Sequence, residues 1–119
     1  MTKKEKPLIV KTFKDIEFVD HPAGRYPDDK LGKLLLDGGI TASVICGRSH
    51  YCDSKANPPT YEVAMFCEDG DFIPLGEWDD VLGWQTEKEI DQLFEQAQND
   101  PQGFITDRRM AKLHRENDL

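Results

Sequence analysis

The segment Thr86-Glu87-Lys88-Glu89 constrains the fold of this chain more than any other. It is a capping box: the Thr86 hydroxyl is placed to accept from the Glu89 N–H, and the Glu89 carboxylate to accept from the Thr86 N–H. Ile90, Leu93, Phe94 and Ala97 follow at i, i+3, i+4 and i+7, which is one stripe of an α-helix. The helix stops near Asn99, before Asp100-Pro101. A helix with a single apolar stripe needs an apolar surface to lie on, and the residues before it supply one.

Ile40 to Cys46 alternates as a strand, with Ile40, Ala42, Val44 and Cys46 on one face. Thr60 to Cys67 alternates likewise, with Tyr61, Val63, Met65 and Cys67 together. Glu68-Asp69-Gly70-Asp71 carries the Asp-Gly signal of a tight hairpin. Phe72 to Leu75 returns as a strand, and Pro74, which has no N–H to donate, makes it an edge. The connection from Gly47 to Pro59 is longer than the two to five residues of an ordinary hairpin.

The first third of the chain is less regular. Residues 1–7 read as a flexible basic lead. Residues 8–13 read as a strand, and Ile16, Phe18 and Val19 as its continuation or a second short strand. Two prolines and a glycine make residues 20–27 a loop. Asp28 and Asp29 before Leu31, Leu34 and Leu35, with Gly38-Gly39 after them, predict a short helix over 28–37. Residues 76–83 read as an acidic loop. A last helix is expected from about Thr106 to Arg115 on Met110 and Leu113. The expected fold is a single α+β domain over 8–100: an antiparallel sheet of three to four strands packed on two or three helices, with 101–119 a helical tail.

Charge narrows the function classes. The 119 residues carry a net charge of −8, so the chain is ill suited to neutralising phosphates directly and is repelled by anionic membranes. Residues 1–14 carry +4, whereas residues 68–95 hold ten carboxylates against Lys88 alone. No apolar run reaches the roughly 20 residues of a membrane span. Three cysteines, Cys46, Cys52 and Cys67, and no signal-peptide pattern after Met1 imply free thiols in a reducing, cytoplasmic compartment.

The candidate chemistry is thin. Cys46, His50, Cys52 and Cys67 are zinc-type ligands, but strand pairing would hold Cys46 and Cys67 roughly 20 Å apart at about 3.3 Å per residue. Cys52 with His50 is a nucleophile–base pair by composition, yet both lie in one loop, where preorganisation is poor. His21 lies near Asp15, Glu17 and Asp20 without the pocket a general base needs. The carboxylates from Glu68 to Asp80 lack the spacing of a calcium loop. This reading assigns no catalytic residue, no metal site and no cofactor.

Recognition fits better. Carboxylates interleaved with aromatics steer a basic partner and anchor it. The candidate contact residues are Asp69, Asp71, Glu77, Trp78, Asp79, Asp80 and Trp84, with Arg48 and Tyr51 of the long loop. The competing reading is an ordinary solvated face with both indoles in the core. The order of strand, Asp-Gly turn, short strand, Asp79-Asp80-Val81-Leu82-Gly83-Trp84 and capped acidic helix resembles small accessory proteins of bacteriophages and mobile elements. The resemblance assigns no residue; the acidic and aromatic ingredients themselves are those of a DNA-mimic inhibitor of a basic nucleic-acid-binding complex, with carboxylates where phosphates lie, as in phage-encoded anti-defence proteins. The expected function is thus a non-enzymatic acidic module binding a protein with a basic surface, with no direct nucleic-acid or membrane contact. The alternatives are a metal- or thiol-dependent enzyme centred on the 46–52 loop and a homo-oligomer subunit joined at the 72–75 edge.

Overall fold

The computed structural model describes residues 10–47, 50–76 and 79–117. The fold is α+β: a six-stranded antiparallel sheet with two helices. Strands β1 (Val19–Asp20), β2 (Lys30–Leu35), β3 (Thr41–Cys46) and β4 (Thr60–Phe66) run in that spatial order. The far edge of β4 is shared by two short strands, β5 (Phe72–Ile73) opposite its end and β6 (Leu82–Thr86) opposite its start.

The strand count exceeds the expected three to four because two segments were misread. The helix expected over 28–37 is strand β2. Leu31, Leu34 and Leu35 match a helical stripe, but pairing along the whole of β3 overrides that pattern and splits them, Leu34 inward and Leu31 and Leu35 outward. Asp29 is no helix cap; its carboxylate accepts from the N–H groups of Arg25 (2.9 Å) and Tyr26 (3.2 Å) and ties up the preceding loop. Gly38 and Gly39, at φ +100° and +93°, turn the β2–β3 hairpin instead of ending a helix, with Leu36 N–H on the Ile40 carbonyl at 2.8 Å.

The second misreading is β6, whose start lies within the segment expected to be an acidic loop. Conversely, residues 10–12 form no strand, and Phe13–Asp15 is a single 3-10 turn; residues 8 and 9 lie outside the described residues. The Asp-Gly turn forms as expected, with Gly70 at φ +91° and Cys67 N–H on the Asp71 carbonyl at 2.9 Å.

Helix α1 (Glu87–Asn99) carries the capping box in full: Glu89 N–H donates to Thr86 Oγ1 at 3.2 Å and Thr86 N–H to Glu89 Oε1 at 2.9 Å. Its stripe of Ile90, Leu93, Phe94 and Ala97 is buried against Ile40, Ala42, Val44, Val63 and Met65, the inward residues of β3 and β4 and the turn before β3. Burying one such side chain contributes about 1.5–3 kcal/mol.

Gln98 extends the buried stripe with a polar group, and its amide is fully used. Oε1 accepts from Lys11 N–H (3.1 Å) and Asp37 N–H (3.0 Å), while Nε2 donates to the carbonyls of Lys11 (2.9 Å) and Phe94 (3.1 Å). One side chain thereby joins the N-terminal segment, the β2–β3 hairpin and α1.

Helix α2 spans Pro101–Asn117, five residues longer at its start than the expected Thr106. Pro101 sits at the first helical position, where a missing N–H costs nothing, and Asp100 Oδ1 caps it by accepting from Gly103 N–H at 3.1 Å. The dipeptide that stops α1 therefore also starts α2. Phe104 is the buried residue of this helix.

Candidate functional site

The described candidate contact residues fall into two groups at opposite ends of β4. Tyr51 and Trp84 lie at its start. Asp69, Asp71, Asp79 and Asp80 lie toward its end, around β5 and the segment after it. Arg48, Glu77 and Trp78 lie outside the described residues.

Tyr51 is held by its backbone. Its N–H donates to Glu62 Oε1 at 2.9 Å, and its carbonyl accepts from Trp84 N–H at 2.8 Å. The two rings pack 5.5 Å apart at 42°, yet Tyr51 is 52% exposed and Trp84 58% exposed. Two features of β6 create this arrangement. The register with β4 slips between Tyr61 and Val63, so Gly83 and Trp84 together oppose Glu62, as in a β-bulge. Trp84 also adopts φ +52°, the left-handed region, which is costly for a bulky residue. Gly83 is required beside it: a Cβ there would lie 2.7 Å from Tyr51 Cβ and 3.1 Å from the Tyr51 carbonyl oxygen. Strain that displays an aromatic side chain outward is the kind found at binding sites.

The acidic group is met by basic residues of α2. Lys112 Nζ is 3.6 Å from Asp80 Oδ1. Arg108 donates to the Leu75 carbonyl (3.2 Å), Arg115 to the Gly76 carbonyl (3.2 Å) and Arg109 to Cys67 Sγ (3.2 Å). Burial lowers the Arg108 pKa, and its guanidinium lies 4.9 Å from the centre of the Phe104 ring. The last quarter of the chain is neutral in net charge, and that balance concealed a helix whose Lys112 pairs with Asp80 and whose arginines bond the carbonyls of Leu75 and Gly76 and the thiol of Cys67.

The 46–52 loop gathers thiols and imidazoles without activating them. Burial pushes the Cys46 and Cys52 thiols up, whereas a nucleophilic cysteine needs the reverse. Cys52 Sγ donates to the Gly47 carbonyl at 3.1 Å. The His50 ring stacks on His21, centroids 5.3 Å apart, and His21 Nδ1 accepts from Ala23 N–H at 3.0 Å. Neither imidazole bonds a thiol among the described residues, and no three His, Cys, Asp or Glu side chains there are placed to hold one metal ion. Cys67 follows the end of β4 that pairs with Thr41, at the opposite end of β3 from Cys46. No described helix is long and apolar enough to cross a membrane.

One structural feature went unread in the sequence. The face of the sheet opposite α1 is apolar too. Register places Leu35, Thr41, Phe66 and Phe72 in one row, Lys33, Ser43 and Ala64 in the next, and Val19, Leu31, Ile45 and Glu62 in a third. Leu31, Ile45 and Phe66 are only partly buried and stand outside the core cluster. No protein-family model, curated protein or solved structure matches this chain.

Proposed function

We propose that this chain is a non-enzymatic protein-binding module whose anchor is the Tyr51–Trp84 pair. The observation that carries the reading is the positive φ of Trp84, which keeps a large aromatic surface in water beside a second ring. Exposed Trp and Tyr are the residues that dominate interface energy. A net charge of −8 favours a partner with a basic surface, and Arg or Lys side chains stack well on an indole. Glu62, bonded to Tyr51, adds a carboxylate at the same corner.

The DNA-mimic form of the reading, in which the partner is a basic nucleic-acid-binding complex, asks for carboxylates in one free array. In the described group at Asp69 to Asp80, Asp80 is paired with Lys112 of α2, so support for that form rests on overall charge. The more general reading, a module for a basic protein surface, rests on the aromatic pair.

The test is affinity capture from the native host with wild type and a Tyr51→Ala/Trp84→Ala variant, each at low and high salt. The reading predicts a basic partner that wild type holds at low salt, releases at high salt, and that the double variant fails to hold. A partner retained equally by the double variant would overturn it.

A further inference from the structure

Two loops meet beside the aromatic corner through a pair of imidazoles. His21 lies between β1 and β2 and His50 after β3, and their rings stack at 5.3 Å and 23°. The His21 backbone is fixed: its N–H donates to the Asp29 carbonyl at 2.9 Å, and its carbonyl accepts from Gly24 N–H at 3.0 Å. His50 leads directly into the anchor. Its carbonyl accepts from Cys52 N–H at 2.8 Å, which closes a tight turn with Tyr51 at the apex. The Tyr51 ring in turn packs on Trp84.

The stack is built for uncharged rings. His21 Nδ1 accepts from Ala23 N–H at 3.0 Å and so carries no proton. A proton added there removes the acceptor. His50 Nε2 is buried and has no hydrogen-bond partner among the described residues. A charged His50 would therefore hold a buried N–H with no acceptor. Two imidazolium rings at this separation would also repel each other.

The surrounding groups do not offset these costs. Asp20 is paired with Lys30. Asp29 Oδ2 accepts from the Arg25 and Tyr26 amides, Asp53 from the Lys55 amide and Glu62 from the Tyr51 amide. Asp29 Oδ1 is buried without a hydrogen-bond partner among the described residues, so it is bonded to neither ring. Asp28 and Lys30 act with opposite sign on the neighbouring Cys46 thiol. Arg25 adds a positive charge to the His21 loop. Burial pushes the Cys46 and Cys52 thiols up, which keeps them uncharged at neutral pH.

We infer that the His21–His50 stack is a proton-sensitive clasp on the aromatic anchor. It is closed while both imidazoles are neutral. Acid opens it within the range in which histidines gain a proton, about pH 8 to about pH 5, and His50 then carries Tyr51 away from Trp84. The use of the clasp rests on the Tyr51–Trp84 pair being the anchor. The clasp itself is read without any partner, so either can fail alone.

The experiment is an NMR titration of the full chain from about pH 8 to about pH 5. It follows the ring Cε1–H signals of His21 and His50, the Ala23 amide and the Trp84 indole N–H. In wild type all four should shift with one midpoint, and the cross-peaks between the Tyr51 and Trp84 rings should fade across it. In His21→Asn/His50→Phe neither side chain takes a proton, while the Asn oxygen can still accept from the Ala23 amide. The Trp84 signal of that variant should stay fixed over the same range. The wild-type titration reads the coupling on its own, so the test does not depend on the folding of the variant. A wild-type Trp84 signal that stays fixed while both imidazoles titrate would overturn the inference. So would an unchanged Trp84 shift in the folded double variant.

Discussion

The two faces of one sheet both carry apolar side chains, but the inner one is uniformly apolar and covered, whereas the outer one mixes Lys33, Thr41, Ser43 and Glu62 among them. On the inner face Ile40, Ala42, Val44, Val63 and Met65 are sealed beneath Ile90 and Phe94. On the outer face Leu35 and Phe72, comparably apolar, stand in water. Hydrophobic alternation tells which residues share a face. It does not tell whether the same chain supplies a layer for that face. The inner face is where burial is converted into stability, whereas the outer face leaves Leu35 and Phe72 in water.

The sharpest way to break this comparison is to cut one residue from each face. Phe94→Ala should cost about 3–5 kcal/mol in urea unfolding, whereas Leu35→Lys should change stability by less than about 0.5 kcal/mol. Similar losses at both positions would show that the outer face is buried.

Next in size is Gln98→Ala. It strips partners from Lys11 N–H and Asp37 N–H at a nearly buried site. A loss of about 2–3 kcal/mol is expected, within the cost of leaving buried donors unsatisfied. Hydrogen exchange should accelerate at both amides.

Gly83→Ala should cost about 1–3 kcal/mol, as overpacking does. It should also part the aromatic rings, which near-ultraviolet circular dichroism would register, because the added methyl meets Tyr51. Asp80→Lys removes a half-exposed pair with Lys112 and should cost no more than about 1 kcal/mol. If the aromatic corner is the anchor, this reversal should also weaken partner capture less than Trp84→Ala does.

The smallest effect is alkaline. Burial raises Cys46 and Cys52 above the ordinary thiol value of 9.0. A folded-state pKa above the unfolded one adds stability that is intact below the unfolded value and lost as pH climbs through the folded one. The unfolding midpoint should therefore be flat from neutrality to about pH 9 on account of these thiols and decline above it.

Much of the inner layer was legible because its signals are local. The Thr86–Glu89 box, the alternation of 40–46 and 60–67 and the Asp69-Gly70 turn each need only neighbouring residues. The segment 30–35 was not legible, because Leu31, Leu34 and Leu35 carry a helical spacing that only pairing with β3 overrides. Strand β6 hid behind Gly83 and a run of carboxylates, although that glycine is there for Tyr51. The start of α2 hid behind Pro101, which stops one helix and begins the next.

At the candidate site, composition brought Tyr51 and Trp84 forward separately. Their pairing, 33 positions apart in the chain, depends on a bulge and a left-handed residue that no spacing announces. Nor did the sequence show that α2 would bring its arginines to the acidic segment. Net charge by segment is blind to which segments meet.

Hydroxyl-radical footprinting of the full chain at low micromolar concentration tests the account most directly, because it compares the two faces in one experiment. Leu35, Phe72, Tyr51 and Trp84 should be oxidised rapidly while Phe94 and Met65 stay protected. Protection of Leu35 and Phe72 equal to that of Phe94 at this dilution would contradict a sheet covered on one side only.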